Sequence, residues 1–268
     1  MQPKPPVLET LLEDDHLIVL AKPAGLPTAN APRGTVSAFT LVQQGLPRGG
    51  FVGVVSRLDA PVSGVLVFAK TRAAAADLSR QFRERTVEKD YVAIVEGRFP
   101  APLGTWVDWH DTITRDDRDQ TGDEPPEDEA DAGRAAHARA RVVCRAGEVS
   151  LVELAPSTGR RHQLRLQLSR RRCPIVGDRR YGSRIPLSAG AIALHARRLT
   201  IDHPATGKRI EIEAPLPPAW SLRFPALFRQ PSRSPEGGQA ARRARRPSGG
   251  VNSVLGNDSG TTPPASNP

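Results

Sequence analysis

Apolar residues fall in short runs along the chain, broken by Pro, Gly and acidic turns. Leu17 to Leu20 follows the acidic turn Glu13-Asp14-Asp15 and stops at Lys22-Pro23-Ala24-Gly25, which predicts a strand and then a rigid turn. Val52 to Val55 and Val65 to Ala69 are two further β-like runs, on either side of Arg57-Leu58-Asp59. The period then changes. Ala74, Leu78 and Phe82 recur every fourth residue behind Thr71, which predicts a helix capped by Thr71 and running to about Arg85. Tyr91 to Val95 reads as the next strand. Arg139 to Val143 and Leu151 to Leu154 read as a hairpin around Ala146-Gly147. Thr158-Gly159 turns the chain into a helix that buries Leu164 and Leu168 on one face. Ile192 to Leu194 and Ile210 to Ile212 read as closing strands. Many strands with two or three helices, not in strict alternation, predict an α+β fold.

Composition refines this outline. The chain has 268 residues, 38% of them hydrophobic, enough for one large domain with a sizeable core. We place that domain at residues 1–230. Past Phe228 the composition collapses into Pro, Ser, Gly, Ala and Arg, and residues 231–268 read as a disordered basic tail. The segment 116–131 is acidic and aperiodic and reads as a flexible surface loop, one that would shield a basic surface from weak partners.

The formal charge is +9. Between Asp108 and Asp131 eleven acids face two arginines, and the tail from Pro231 holds five arginines against two acids. The remaining body therefore carries a formal +15, which favours a polyanionic partner such as nucleic acid. The two cysteines, Cys144 and Cys173, lack metal-type spacing, and no Cys/His cluster predicts zinc. The N-terminus has no apolar core of a secretory signal, and no run approaches membrane-spanning length, so a soluble cytoplasmic protein is expected.

The candidate chemistry sits in separate short stretches. Asp59 lies at a strand-to-loop junction, where it either faces a cleft or serves as a turn former before Ala60-Pro61. Arg57, two residues earlier, offers it a local partner. Tyr91 is one of only two tyrosines in the chain, a core residue or a platform for a base. Thr158 to Arg165 combines turn residues with a basic helix start whose backbone N–H groups suit phosphate, with Arg160, Arg161, His162 and Gln163 as candidate contacts. His162 is alternatively a structural hydrogen-bonding histidine. Lys22 is read as an exposed cation on a turn that touches an RNA backbone, or as part of a structural turn. His195 to Leu199 contributes two arginines beside a strand.

In this order these stretches resemble the RluA-type RNA pseudouridine synthases, over roughly residues 8–228. Five blocks carry the resemblance: Glu13 to Leu20 leading into Lys22-Pro23-Ala24-Gly25-Leu26; Arg57-Leu58-Asp59 followed by Ser63 to Lys70; Lys89-Asp90-Tyr91-Val92-Ala93; Thr158 to Arg165; and Pro174 to Gly182. The resemblance implies a mixed, largely antiparallel bent sheet with flanking helices and a central RNA-binding cleft. It implies isomerisation of uridine to pseudouridine in structured rRNA or tRNA, by a monomer with no metal and no cofactor. Asp59 matches the family's essential aspartate, Tyr91 its active-site tyrosine, and Arg165 the basic residue that pairs with the aspartate.

The chain departs from the family pattern at Ser56, where the family usually has His, at Val62, usually Thr, and at Gln167, usually His. Ser56 and Val62 flank the aspartate, where substrate would pass. They support one alternative, a catalytically altered RNA-binding or assembly factor on the same fold. A nucleoside hydrolase releasing free uracil is a second.

Overall fold

The computed structural model describes residues 8–32, 35–114, 133–188 and 190–229. The acidic segment 116–131 and the basic tail 231–268 lie outside the described residues. Ten strands form one sheet: β1 (Glu9–Glu13), β2 (Leu17–Lys22), β3 (Gly53–Val54), β4 (Ser63–Ala69), β5 (Glu88–Glu96), β6 (Trp106–Ile113), β7 (Arg134–Ala146), β8 (Val149–Pro156), β9 (Leu194–Asp202) and β10 (Arg209–Glu213). Their order is β1-β2-β4-β9-β5-β8-β7-β6, with β10 paired to β9 and β3 to β4. All pairings are antiparallel except β4 with β9. The sheet is mixed, largely antiparallel and flanked by helices, as the α+β expectation requires.

The first half of the sheet is built by strict alternation. Leu17 and Val19 of β2, with Val65, Val67 and Ala69 of β4, face helix α2 (Arg72–Glu84), which covers them with Ala74 and Leu78. Ile18, Leu20, Leu66 and Phe68 point the other way, onto Ala38 and Val42 of helix α1 (Ala38–Gly45). A strand sandwiched between two helices must bury both faces, and every residue of β4 is buried. α2 begins and ends as its sequence predicts. Thr71 accepts a hydrogen bond from the Ala74 N–H at 3.1 Å, and Arg85 closes the helix in the left-handed conformation.

The second half wraps helix α3 (Gln163–Arg170). Leu164 and Leu168 join a core made by β5, β7, β8 and β9. A single 3-10 turn at Arg179–Tyr181 follows, then β9, β10 and two short helices, α4 (Pro218–Arg223) and α5 (Pro225–Phe228). Gly64 sits where parallel β4 and β9 meet, at φ 119°, and a Cβ there would overlap the Ala196 carbonyl. Glycine is required for that approach. Opposite Tyr91 the β5–β9 register slips, pairing Asp90 with Arg198 but Tyr91 with Ala196, so a bulge re-aims the tyrosine.

Several expectations need correction. The run Val52 to Val55 contributes only the two-residue strand β3, and Arg57 to Asp59 is irregular backbone. The closing strand starts at Leu194, after Ile192. α3 is not a surface helix with an open N-terminus: Gln163 to Leu168 are all buried. The Gln163 side-chain carbonyl takes the Arg160 N–H at 3.1 Å, so the expected phosphate seat at that N–H is filled from within.

Candidate active site

Asp59 is held in its loop from both sides. Thr28 donates its hydroxyl to the Leu58 carbonyl at 2.7 Å and accepts the Leu58 N–H at 3.0 Å. The Ala60 carbonyl accepts from the Gly25 N–H at 2.7 Å and from Lys22 Nζ at 3.2 Å. The Val62 N–H closes a turn onto the Asp59 carbonyl at 3.0 Å. The main chain on either side of the carboxylate is thus fixed by side chains from the β2–α1 segment.

The carboxylate meets a guanidinium from α3. Arg165 Nη1 donates to Asp59 Oδ2 at 3.0 Å. The other edge of the same guanidinium grips Asp178, Nε to Oδ2 at 2.7 Å and Nη2 to Oδ1 at 2.9 Å. Its plane lies 4.9 Å from the Tyr181 ring centroid. Arg165 and Asp178 side chains are 6% and 1% exposed, whereas Asp59 is 28% exposed. The cation is locked inside, and the carboxylate is the part of the pair that a substrate reaches. Burial alone would lower the Arg165 pKa; the bonds and charge of Asp178, then Asp59, reverse this and hold it above its usual value.

His162 stands beside the pair, Nε2 3.6 Å from Asp59 Oδ2, with Nδ1 2.8 Å from the Tyr181 hydroxyl. Burial pulls it down to about 4, helped by the neighbouring arginines and opposed by Asp59, so it is neutral at pH 7. Tyr91 lines the same cleft, its hydroxyl pKa pushed well up by burial and by the Asp59 charge. A phenol shifted in that direction is protonated at pH 7.

The cleft is open to solvent, with a cavity volume of about 120 Å³. It brings together Arg57, Asp59, Tyr91, Arg160, His162, Gln163 and Arg165, residues drawn from three separate stretches of the sequence. Among the described residues Asp59 is its only acidic lining residue; Arg57, Lys89, Arg160 and Arg165 are its cations.

Three of the sequence expectations do not survive. Lys22 is 1% exposed and gives its ammonium to the carbonyls of Pro23, Leu26 and Ala60, so it braces the Asp59 loop and touches no RNA. Burial pulls its pKa to about 7, against the pull of Asp59. Gln163 is 4% exposed; its amide oxygen accepts from the Thr158 hydroxyl and the Arg160 N–H and its nitrogen donates to the His137 carbonyl, so it braces the turn before α3. Arg57 is exposed and is not the partner of Asp59; Arg165 is. Arg161 is exposed and stands outside the cleft lining.

Three members of the site are not among the sequence candidates. Asp178 and Tyr181 lie in the fifth block, Gly177-Asp178-Arg179-Arg180-Tyr181-Gly182, which carried the resemblance without suggesting chemistry. Lys89 was missed beside Tyr91, although residues two apart on a strand share a face. Among the described residues no cluster of His, Cys, Asp or Glu is placed to hold a metal.

A carboxylate paired to a buried arginine in a cationic cleft, on a mixed sheet, suits an enzyme that acts on a polyanion. The comparisons agree. A model of the RNA pseudouridylate synthase family matches residues 16–170. The chain is 38% identical over 223 residues to the dual-specificity RNA pseudouridine synthase RluA of Escherichia coli K12, covering 80% of this chain and 95% of that protein. It is 36% identical over 246 residues to the ribosomal large subunit pseudouridine synthase D of Xanthomonas campestris, covering 85% and 72%. It is 32% identical over 210 residues to the ribosomal large subunit pseudouridine synthase C of Vibrio cholerae, covering 76% and 64%. Human RNA pseudouridylate synthase domain containing 4 superposes with a TM-score of 0.64 at 26% identity, over 82% of this chain and 92% of that one. This chain belongs to the RluA-type RNA pseudouridine synthase family and is an isomerase of that kind.

Proposed function

We propose that the protein isomerises specific uridines to pseudouridine in structured rRNA or tRNA, with Asp59 as the catalytic carboxylate. The observation that carries this is the Asp59–Arg165 pair, in which the one carboxylate among the described lining residues of a cationic cleft is oriented by a buried cation. The target uridine leaves its stack, at a cost of a few kcal/mol, offset by phosphate contacts to Arg57, Arg160 and Lys89. Asp59 then acts on the ribose, as nucleophile at C1′ or as base on a sugar proton, and the C1′–N1 bond breaks. The uracil turns within the pocket, held by Tyr91, and C5 bonds to C1′. The C5 proton leaves and N1 gains one, so atoms balance with no external reagent. Tyr91 orients the base and donates its hydroxyl hydrogen; the acceptor of the C5 proton is Asp59 or water.

Incubation with rRNA and tRNA transcripts labelled as [5-³H]uridine tests the reaction. Tritium enters water while the RNA keeps its mass and no free uracil forms. Free uracil would make the protein a hydrolase. Binding without either product would make it a non-catalytic RNA-binding factor.

A further inference from the structure

Beyond the catalytic cleft, and continuous with it through Arg57, Lys89, Tyr91 and Arg160, runs a second groove of about 440 Å³, open to solvent. Its apolar side is Val65, Phe82, Val87 and Leu199, and its cations include Arg83, Arg85 and Lys89. Among the described residues no carboxylate lines it. Arg198, also on its wall, is spent on Asp90 and Glu211. Arg80, on the outer side of α2, pairs with Asp77 and Glu84 at 2.5 and 3.0 Å, but Arg83 and Arg85 have no ion-pair partner among the described residues. Lys89 Nζ reaches only the Thr158 carbonyl, at 3.1 Å.

Arg85 adds a conformational argument. It closes α2 at φ 62°, ψ 31°, a left-handed position where glycine is favoured and a side chain costs about 1 kcal/mol. The chain carries that strain and places a guanidinium on the groove wall. Ser56, small and half-buried, stands at the groove and leaves it open.

We infer that this groove is a second nucleotide subsite, holding the RNA nucleotide next to the target uridine, its phosphate on Arg85, Arg83 and Lys89 and its base against Phe82 and Leu199. The inference rests on the catalytic reading of the neighbouring cleft and assigns part of the sequence specificity to the flanking position. The chemistry is complementary on both counts: an anionic phosphodiester meets unpaired cations, and a base face meets an apolar wall.

The test reads RNA binding and turnover separately, using full-length protein and the pooled rRNA and tRNA transcripts. The double variant Arg83→Gln/Arg85→Gly lowers affinity about tenfold at low salt. Two lost phosphate contacts make the plot of log Kd against log salt shallower by about 1.4. It also melts no lower than wild type, because glycine relieves the strain at position 85. Ser56→Trp fills the groove without changing charge and raises the KM for RNA severalfold. Arg80→Gln, on the same helix outside the groove, keeps the wild-type salt slope. A wild-type slope in the double variant, or an equal drop in Arg80→Gln, overturns the subsite. So does an unchanged KM in Ser56→Trp. A wild-type protein that binds with this slope but releases no tritium sinks the catalytic reading and leaves the groove standing.

Discussion

Helices α2 and α3 both mix leucine with arginine, yet they occupy opposite environments. α2 lies on the surface: its apolar residues recur every fourth position, Thr71 caps it, and Arg80 pairs within its own helix. Its caps and ion pairs lie within a few residues, although Gln81 also reaches Asp202 across the fold. α3 is buried from Gln163 to Leu168, and its side-chain hydrogen bonds run mostly to distant segments. Arg165 reaches Asp59, 106 residues away, and Gln167 donates to Asp111 and to the Ala136 carbonyl. An arginine paired along its own helix contributes little. An arginine paired across the fold, between a buried carboxylate and a reachable one, fixes the geometry of a site.

The largest stability effect that would break this comparison comes from Arg165→Ala. It strands the Asp178 carboxylate in the interior and costs about 3–5 kcal/mol in urea unfolding. Arg165→Lys keeps the charge but loses the fork that grips both carboxylates at once, so the protein folds and its tritium release falls about a hundredfold. If Arg165→Ala unfolds like wild type and loses only salt-dependent RNA affinity, Arg165 belongs with the surface arginines.

Lys22 sharpens the same point, since it too is a cation turned inward. Lys22→Met leaves carbonyls in the Asp59 loop without their donor and costs about 3 kcal/mol. The pH dependence has a definite sign. The folded pKa is about 7 against 10.5 for a free lysine, so above pH 7 the unfolded chain holds more protons than the folded one. The stability of wild type relative to Lys22→Met therefore rises with pH from about 7 to about 10 and is flat below. A difference that falls with pH across that window would contradict a buried Lys22.

The smallest effect is expected at the local end of the comparison. Thr71→Ala removes one cap and costs about 1 kcal/mol, read from the denaturant midpoint with an unchanged slope and unchanged turnover at saturating RNA.

This contrast also explains what the sequence made legible. α2 was readable to within a residue at each end because its determinants are local. β2, β4 and β5 were readable as apolar runs. β6 was not, since Asp108 and Asp111 made Trp106 to Ile113 look like the opening of an acidic stretch, although Trp109 and Ile113 face inward. α1 was missed because its signal is the Ser37–Thr40 cap rather than a strong apolar stripe.

At the site, Asp59, Tyr91 and Arg165 were legible through the pattern of blocks, and the fold brings all three into one cleft. The assignment of cations was less reliable. Sequence shows a positive charge but not its direction, so Lys22 read as exposed and Arg57 as the partner of Asp59. Asp178 went unnoticed because an acid between glycine and arginine looks like a turn. The departures from the family pattern divide in the same way. Gln167 is buried structure, Val62 lines the catalytic pocket, and Ser56 opens onto the neighbouring groove.

The central claim is that Asp59 acts on the ribose while Arg165 holds it in place. The most direct measurement compares wild type with Asp59→Asn on [5-³H]uridine-labelled rRNA and tRNA. Asparagine preserves size and the turn but supplies no carboxylate, so tritium release falls to background while RNA affinity stays near that of wild type. Release at the wild-type rate from Asp59→Asn would contradict the account.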